Sequence, residues 1–262
     1  MSDWTATIDA LIDYLSYQQE CGVRMIPLDI AALRALDAPL PRPTATATPA
    51  THSTTDSSPV TTTTGDTSSR HDRLAKIAIQ AASCELCPLW QGRTCSVPGQ
   101  GNPNSPDIMF VGDSPAAADN QSGNAFVDKD GDLLNKMIKA MGYTRDDIFL
   151  TNVCKCYGPN GRRPKLNEMR ACLPYLISQI DIINPKVIIA LGADAAMGLT
   201  NAQNSTGLAK LRGQWTRLGS TPLIFTYHPK NKLMALPPAK REAWHDLKKV
   251  LALLRRPLPP RT

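Results

Sequence analysis

The sequence predicts an α/β fold: a mostly parallel sheet of four strands with helices on both faces. Three observations predict it. Four short apolar runs, Asp107–Val111, Asp147–Val153, Lys186–Leu191 and Pro222–Tyr227, are rich in β-branched and aromatic residues. Such continuous runs mark strands buried on both faces. Between them lie stripes of helical period. One contains Leu133, Leu134, Met137, Ile138 and Met141; another contains Met169, Cys172, Leu173, Leu176, Ile180 and Ile183. Each strand is then closed by polar or turn-forming residues: Gly112-Asp113-Ser114-Pro115, Asn152, Gly192-Ala193 and His228-Pro229. Repeated strand–helix units of this kind build parallel sheets.

The 262 residues divide by composition. Residues 1–37 carry two helical stripes, Ile8, Leu11, Ile12 and Leu15, then Ile30, Leu33 and Leu36. They read as a helical hairpin able to dock on a partner that the sequence does not name. Residues 38–70 are almost wholly Pro, Thr, Ala, Ser and Asp. That stretch has too little apolar surface to offset chain entropy, and it reads as a disordered linker. Residues 71–256 form the α/β domain, and 257–262 a tail. The start has no basic segment followed by an apolar run, as a secretion signal would. No stretch approaches the roughly eighteen apolar residues that span a bilayer. A cytoplasmic monomer with no membrane partner is expected. The net charge of +6 favours a polyanionic partner, with basic residues clustered from Lys155 to Arg170 and from Lys230 to Arg256.

In an open α/β sheet, ligands bind beyond the carboxyl ends of the strands. Asp113, Asn152 and His228 should therefore converge on one crevice, although they lie far apart in the chain. The seven cysteines hold a second constellation. Cys84 and Cys87 form a C-x-x-C ahead of the sheet, Cys156 follows the second strand, and Cys172 lies in the next helix. Four such thiols suit one metal centre, and ligand count leaves zinc and a [4Fe–4S] cluster both open. Cys154 reads as an alternative ligand or a packed strand-end thiol.

These residues resemble the family 4, iron–sulfur uracil-DNA glycosylases over residues 78–252. The matching motifs are Cys84-Glu-Leu-Cys87-Pro-Leu, Gly99-Gln-Gly-Asn-Pro-Asn-Ser-Pro106, Phe110-Val-Gly-Asp-Ser-Pro115 and Phe126-Val127. They continue with Gly131-Asp-Leu-Leu134, Thr151-Asn-Val-Cys-Lys-Cys156, Arg170-Ala-Cys-Leu-Pro174, Leu211-Arg-Gly213, Tyr227-His-Pro229 and Lys240-Arg-Glu-Ala-Trp244. The resemblance implies a four-stranded parallel sheet between helices. It also implies a structural [4Fe–4S] cluster held by Cys84, Cys87, Cys156 and Cys172, and uracil-containing DNA as the partner.

An enzyme of this kind must first extrude the base from the stack. Phe126 then resembles the ring on which the uracil stacks. The Asn152 amide can donate to O4 and accept from N3–H, a pattern that cytosine reverses. His228 is placed to stabilise the departing uracil anion, and Asp113 the sugar cation or the attacking water. Gly112 and Ser114 belong to the turn beside the base. Lys230, Leu233 and Met234 resemble the segment that enters the minor groove, with Leu233 or Met234 as the wedge. No lysine nucleophile stands out among the pocket residues, so a monofunctional enzyme that leaves an abasic site is expected.

The motifs also depart from the family. Gly-Glu-Ala-Pro-Gly reads Gly112-Asp-Ser-Pro-Ala116, Pro-Phe-Val-Gly reads Ala125-Phe-Val-Asp128, and His-Pro-Ser or His-Pro-Ala reads His228-Pro-Lys230. A carboxylate withdrawn by one carbon–carbon bond can cost rate. Two alternatives therefore accompany the enzyme reading: a non-catalytic DNA-damage-binding paralogue, and an enzyme of shifted base specificity.

Overall fold

The computed structural model describes residues 65–200 and 208–259. The helical segment read at 1–37 lies outside them, as does the linker reading up to residue 64. The first helix, α1 (Gly65–Ser83), starts ahead of the residue-71 boundary drawn from composition.

The apolar runs become four parallel strands: β2 (Ile108–Gly112), β3 (Phe149–Asn152), β4 (Val187–Leu191) and β6 (Thr221–Thr226). The sheet has six strands rather than four, in the order β1-β3-β2-β4-β6-β5. The two extra strands, β1 (Gln100–Gly101) and β5 (Trp215–Leu218), pair antiparallel at the edges. Every residue of β2 and β4 is buried, which is why those strands show no polar alternation.

Helices cover both faces, each with its own apolar cluster. On one face α3 (Lys129–Ala140) and α7 (Pro237–Leu253) pack Leu134, Ile138, Leu247 and Val250 onto Phe110 and Ile189. On the other, α4 (Leu166–Ile183) and α5 (Gly192–Thr200) pack Met169, Leu176 and Ala195 onto Val111 and Ile188. The short α2 (Ala117–Ser122) and α6 (Leu208–Leu211) complete the helices.

The chain leaves β2 for β3 on one side and returns to β4 on the other. Such a reversal opens a crevice at the strand ends. In the parallel register Gly112 stands opposite Asn152. The end of β6, which carries His228, is held by Asp246 of α7: its carboxylate accepts from Thr226 Oγ1 at 2.9 Å and pairs with Arg212 at 3.1 Å. Among the described residues, no helix is long and apolar enough to cross a membrane.

Candidate active site

A cavity of about 260 Å³ opens at these strand ends. Asp113, Ser114, Phe126, His228 and Lys230 line it, together with Tyr157, Arg162 and Arg163. Asn152 lies just behind that lining, fully buried, and neither its Oδ1 nor its Nδ2 finds a hydrogen-bond partner among the described residues. Its amide is pressed against Gly112. A Cβ at position 112 would strike Asn152 Oδ1 and come within 2.8 Å of the Phe126 ring. Glycine is thus required there to seat the amide and the ring side by side. Leaving a buried amide unsatisfied costs about 1–3 kcal/mol. A fold carries that cost where the missing partner is a ligand.

Phe126 adopts φ +56°, a left-handed conformation that costs a residue with a side chain roughly 1 kcal/mol or more. The surroundings impose it. Arg145 donates to the Phe126 carbonyl at 3.1 Å and to the Ala125 carbonyl at 2.6 Å, while Asp119 accepts from Val127 N–H at 2.9 Å. Strain held this firmly is a mark of functional positions. The Phe126 and His228 rings lie 6.0 Å apart, tilted by 36°, and so form one wall.

His228 follows β6 and fits against Gly192, whose absent Cβ would come within 3.0 Å of the imidazole's own Cβ. The backbone N–H of Lys230 donates to His228 Nδ1 at 3.0 Å. The neutral ring therefore carries its proton on Nε2, facing Asp113 Oδ1 at 3.5 Å. Burial pushes the imidazole pKa down to about 4, although the nearby Asp113 carboxylate pulls the other way. At neutral pH, His228 is an uncharged donor.

Asp113 is buried, and its carboxylate accepts from Lys230 Nζ with both oxygens, at 2.6 and 2.5 Å. The Lys230 amine lines the cavity, where it is engaged by the Asp113 carboxylate. The other departures find physical reasons. Asp128 caps α3, accepting from the N–H groups of Asp130 and Gly131 at 3.0 and 3.1 Å. Ala116 has φ −82°, where a methyl costs nothing, and glycine is not required.

The loop after His228 separates the two wedge candidates. In the short turn Lys232–Ala235, Leu233 is 48% exposed, whereas Met234 is packed into the core.

Cys84, Cys87, Cys156 and Cys172 line a second cavity together with Lys155, Trp90 and Tyr175. The sulfurs meet hydrogen-bond donors: Lys155 N–H at 3.3 Å from Cys172 Sγ, and Arg93 Nη1 at 3.4 Å from Cys156 Sγ. Burial raises the Cys87 thiol to about 11, while the adjacent Cys154 thiol lowers Cys172 to about 7. Cys154 is buried and does not itself line the cavity, but its thiol contacts that of Cys172, which does. Among the described residues, no group of three or more Cys, His, Asp or Glu side chains is arranged to hold a single metal ion. Four thiols around one apolar cavity fit a group that takes four separate thiolates.

Sequence reasoning missed the place of Lys155, counting it with the basic residues that could face a polyanion, whereas it is buried. Its fully buried ammonium donates to Thr151 Oγ1, the Asn152 carbonyl and Gln179 Oε1, each at 2.7 Å. Lys155 thereby ties the cysteine cavity to the strand end that carries Asn152. Its place in a basic cluster and its position between Cys154 and Cys156 carry no signal of that burial. Tyr157 was likewise missed, having no motif of its own.

The fold and this site define an α/β protein with a cavity at the strand ends and an unpartnered buried amide behind it, and comparison with known families places it. Residues 98–248 match the model of the uracil DNA glycosylase superfamily. The type-4 uracil-DNA glycosylase of Sulfurisphaera tokodaii is 41% identical over 189 residues, 70% of this chain and 85% of that protein. That of Saccharolobus solfataricus is 38% identical over 68% of this chain and 85% of its own length. A type-5 uracil-DNA glycosylase of Pyrobaculum aerophilum is more distant, 27% identical over 51% of this chain. The chain belongs to the uracil-DNA glycosylase superfamily, in its type-4 family.

Proposed function

We propose that the protein is a monofunctional uracil-DNA glycosylase: it flips uracil out of DNA and hydrolyses the glycosidic bond, leaving an abasic site. The observation that carries this reading is the unpartnered Asn152 amide, aimed between Gly112 and Phe126. A uracil stacked on Phe126 offers that amide O4 as acceptor and N3–H as donor, satisfying both of its atoms. Cytosine offers the reverse and leaves the penalty in place. His228 donates through Nε2–H to O2, where negative charge gathers as the base departs. A neutral donor in a dry site stabilises such an anion without itself needing a proton. Asp113 faces the sugar side, where its negative charge opposes the developing cation and its oxygens orient water. Ser114 and Gly112 shape the turn beside the base.

DNA contact falls to the segment after His228, with Lys230 near the backbone and Leu233 as the wedge that fills the vacated stack. Cys84, Cys87, Cys156 and Cys172 would hold a [4Fe–4S] cluster, whose part is to pin the loops around it. The enzyme acts as a cytoplasmic monomer.

A non-catalytic damage-binding reading draws on one observation: the Lys230 ion pair that neutralises Asp113. A panel of oligonucleotides carrying uracil, hypoxanthine or xanthine, incubated with anaerobically purified protein, decides between them. Uracil release supports the proposal. Intact substrate with retained binding supports the alternative, and preferential release of a purine would reassign the specificity.

A further inference from the structure

Two of the family-motif departures touch each other. Asp113 stands in place of a glutamate and Lys230 in place of a small residue, and the Lys230 ammonium sits on both Asp113 oxygens. The Asp113 side chain is 2% exposed, and its other polar neighbour is His228. The same lysine also reaches that neighbour, because its backbone N–H donates to His228 Nδ1. One residue of the loop after β6 thus contacts both members of the acid–imidazole pair, through two different parts of itself.

We infer that Lys230 is a positioning residue of the reaction: its ammonium clamps both carboxylate oxygens of Asp113, and its backbone N–H keeps the His228 proton on Nε2. This rests on the proposed glycosylase reading and deepens it, moving Lys230 from DNA contact to pocket organiser.

The electrostatics follow from what faces the pair. Asp113 comes from the end of β2, Lys230 from the His228 loop, Asp128 from the start of α3, and Asp194 from α5. The Asp113 and Asp128 carboxylates draw a proton toward the imidazole and Lys230 opposes them, while Asp194 is paired with Arg163 of the same cavity at 3.5 Å. With Lys230 in place, both Asp113 oxygens are held by the ammonium, while burial keeps His228 a neutral donor. Without the ammonium, a buried carboxylate and an imidazole 3.5 Å away have mainly each other, and the pair takes up a proton at higher pH. That proton removes the anion that the reaction needs.

The test is an NMR pH titration of the His228 ring and the Asp113 carboxyl in full-length wild type and K230M, with H228Q identifying the ring signals. In K230M, proton uptake by the pair should move up by about one pH unit or more. The acid limb of single-turnover excision should move with it, and K230R should restore both. Superimposable titrations in wild type and K230M would overturn the inference. So would a salt dependence of DNA affinity that falls by about one contact in K230M with titration unchanged, since that marks Lys230 as a phosphate ligand. K230S replaces K230M if the latter does not fold. The titration reads the free protein, so a wild type that fails to excise uracil refutes the proposed function and the catalytic part of this inference with it, while unshifted titrations in an active K230M refute the inference alone.

Discussion

Asn152 and Gly112 stand opposite each other at the ends of β3 and β2, and the bare Cα of Gly112 leaves only enough room for the Asn152 amide. The parallel register fixes the two positions. The missing Cβ lets the amide and the Phe126 ring share the floor of one pocket. A methyl group there collides with both side chains, so one or both must shift.

Gly112→Ala is therefore expected to displace the amide, the ring, or both. Misplacement of about 1 Å costs on the order of 10²-fold in rate. Single-turnover excision should fall by that order while circular dichroism shows a folded protein. Wild-type excision by G112A would show that the slot is not used.

The neutral state of His228 predicts a pH dependence of stability. Its folded-state pKa of about 4 lies below the ordinary 6.5, so between those values the unfolded chain binds the extra proton. The contribution is fully present above pH 6.5 and is lost as pH falls toward 4. It amounts to about 3 kcal/mol, from 1.36 kcal/mol for each pH unit of difference. Urea unfolding of wild type from neutral pH down to about 4 should show this decline, and H228N should lose that part of it. Parallel slopes in the two proteins would contradict the buried neutral imidazole.

Much of this site was legible before the fold was known, for a physical reason. Strands buried on both faces must be apolar throughout, so the first polar residue after each stands out; Asp113, Asn152 and His228 were found that way. The edge strands lacked this signal. β1 is only Gln100 and Gly101, and β5 is largely exposed. The return of Lys230 onto Asp113 spans 117 residues and depends on where a long side chain turns. Chain order carries no trace of that. Asp128 does line the cavity, as a charge near the pocket, but its second task, capping α3, depends on where the helix starts. Leu233 and Met234 are adjacent, and only the path of the turn decides that one is exposed and the other buried.

That exposure leads to a prediction for Leu233→Ala. A wedge matters only where a stack must be held open. Excision from duplex DNA should fall by about tenfold, with a smaller loss on single strands, where unstacking is cheaper. Equal losses on both substrates would assign Leu233 to general binding.

Cys84→Ser probes the second cavity. With one of its four thiolates removed, the cluster should be lost or weakened. Anaerobically purified wild type should be brown, with broad visible absorption and iron and sulfide in comparable amounts. C84S should be paler and melt at lower temperature. A colourless wild type containing zinc would replace the cluster assignment.

The central claim is that the Asn152 amide is held unpartnered for a base, and Asn152→Ala tests it most directly. The substitution removes no hydrogen bond within the described protein, so the melting temperature should hold or rise. Single-turnover release of uracil should fall by on the order of 10² or more, with affinity for undamaged DNA retained. An N152A protein that melts several degrees lower, binds DNA poorly, or releases uracil at the wild-type rate would contradict the account.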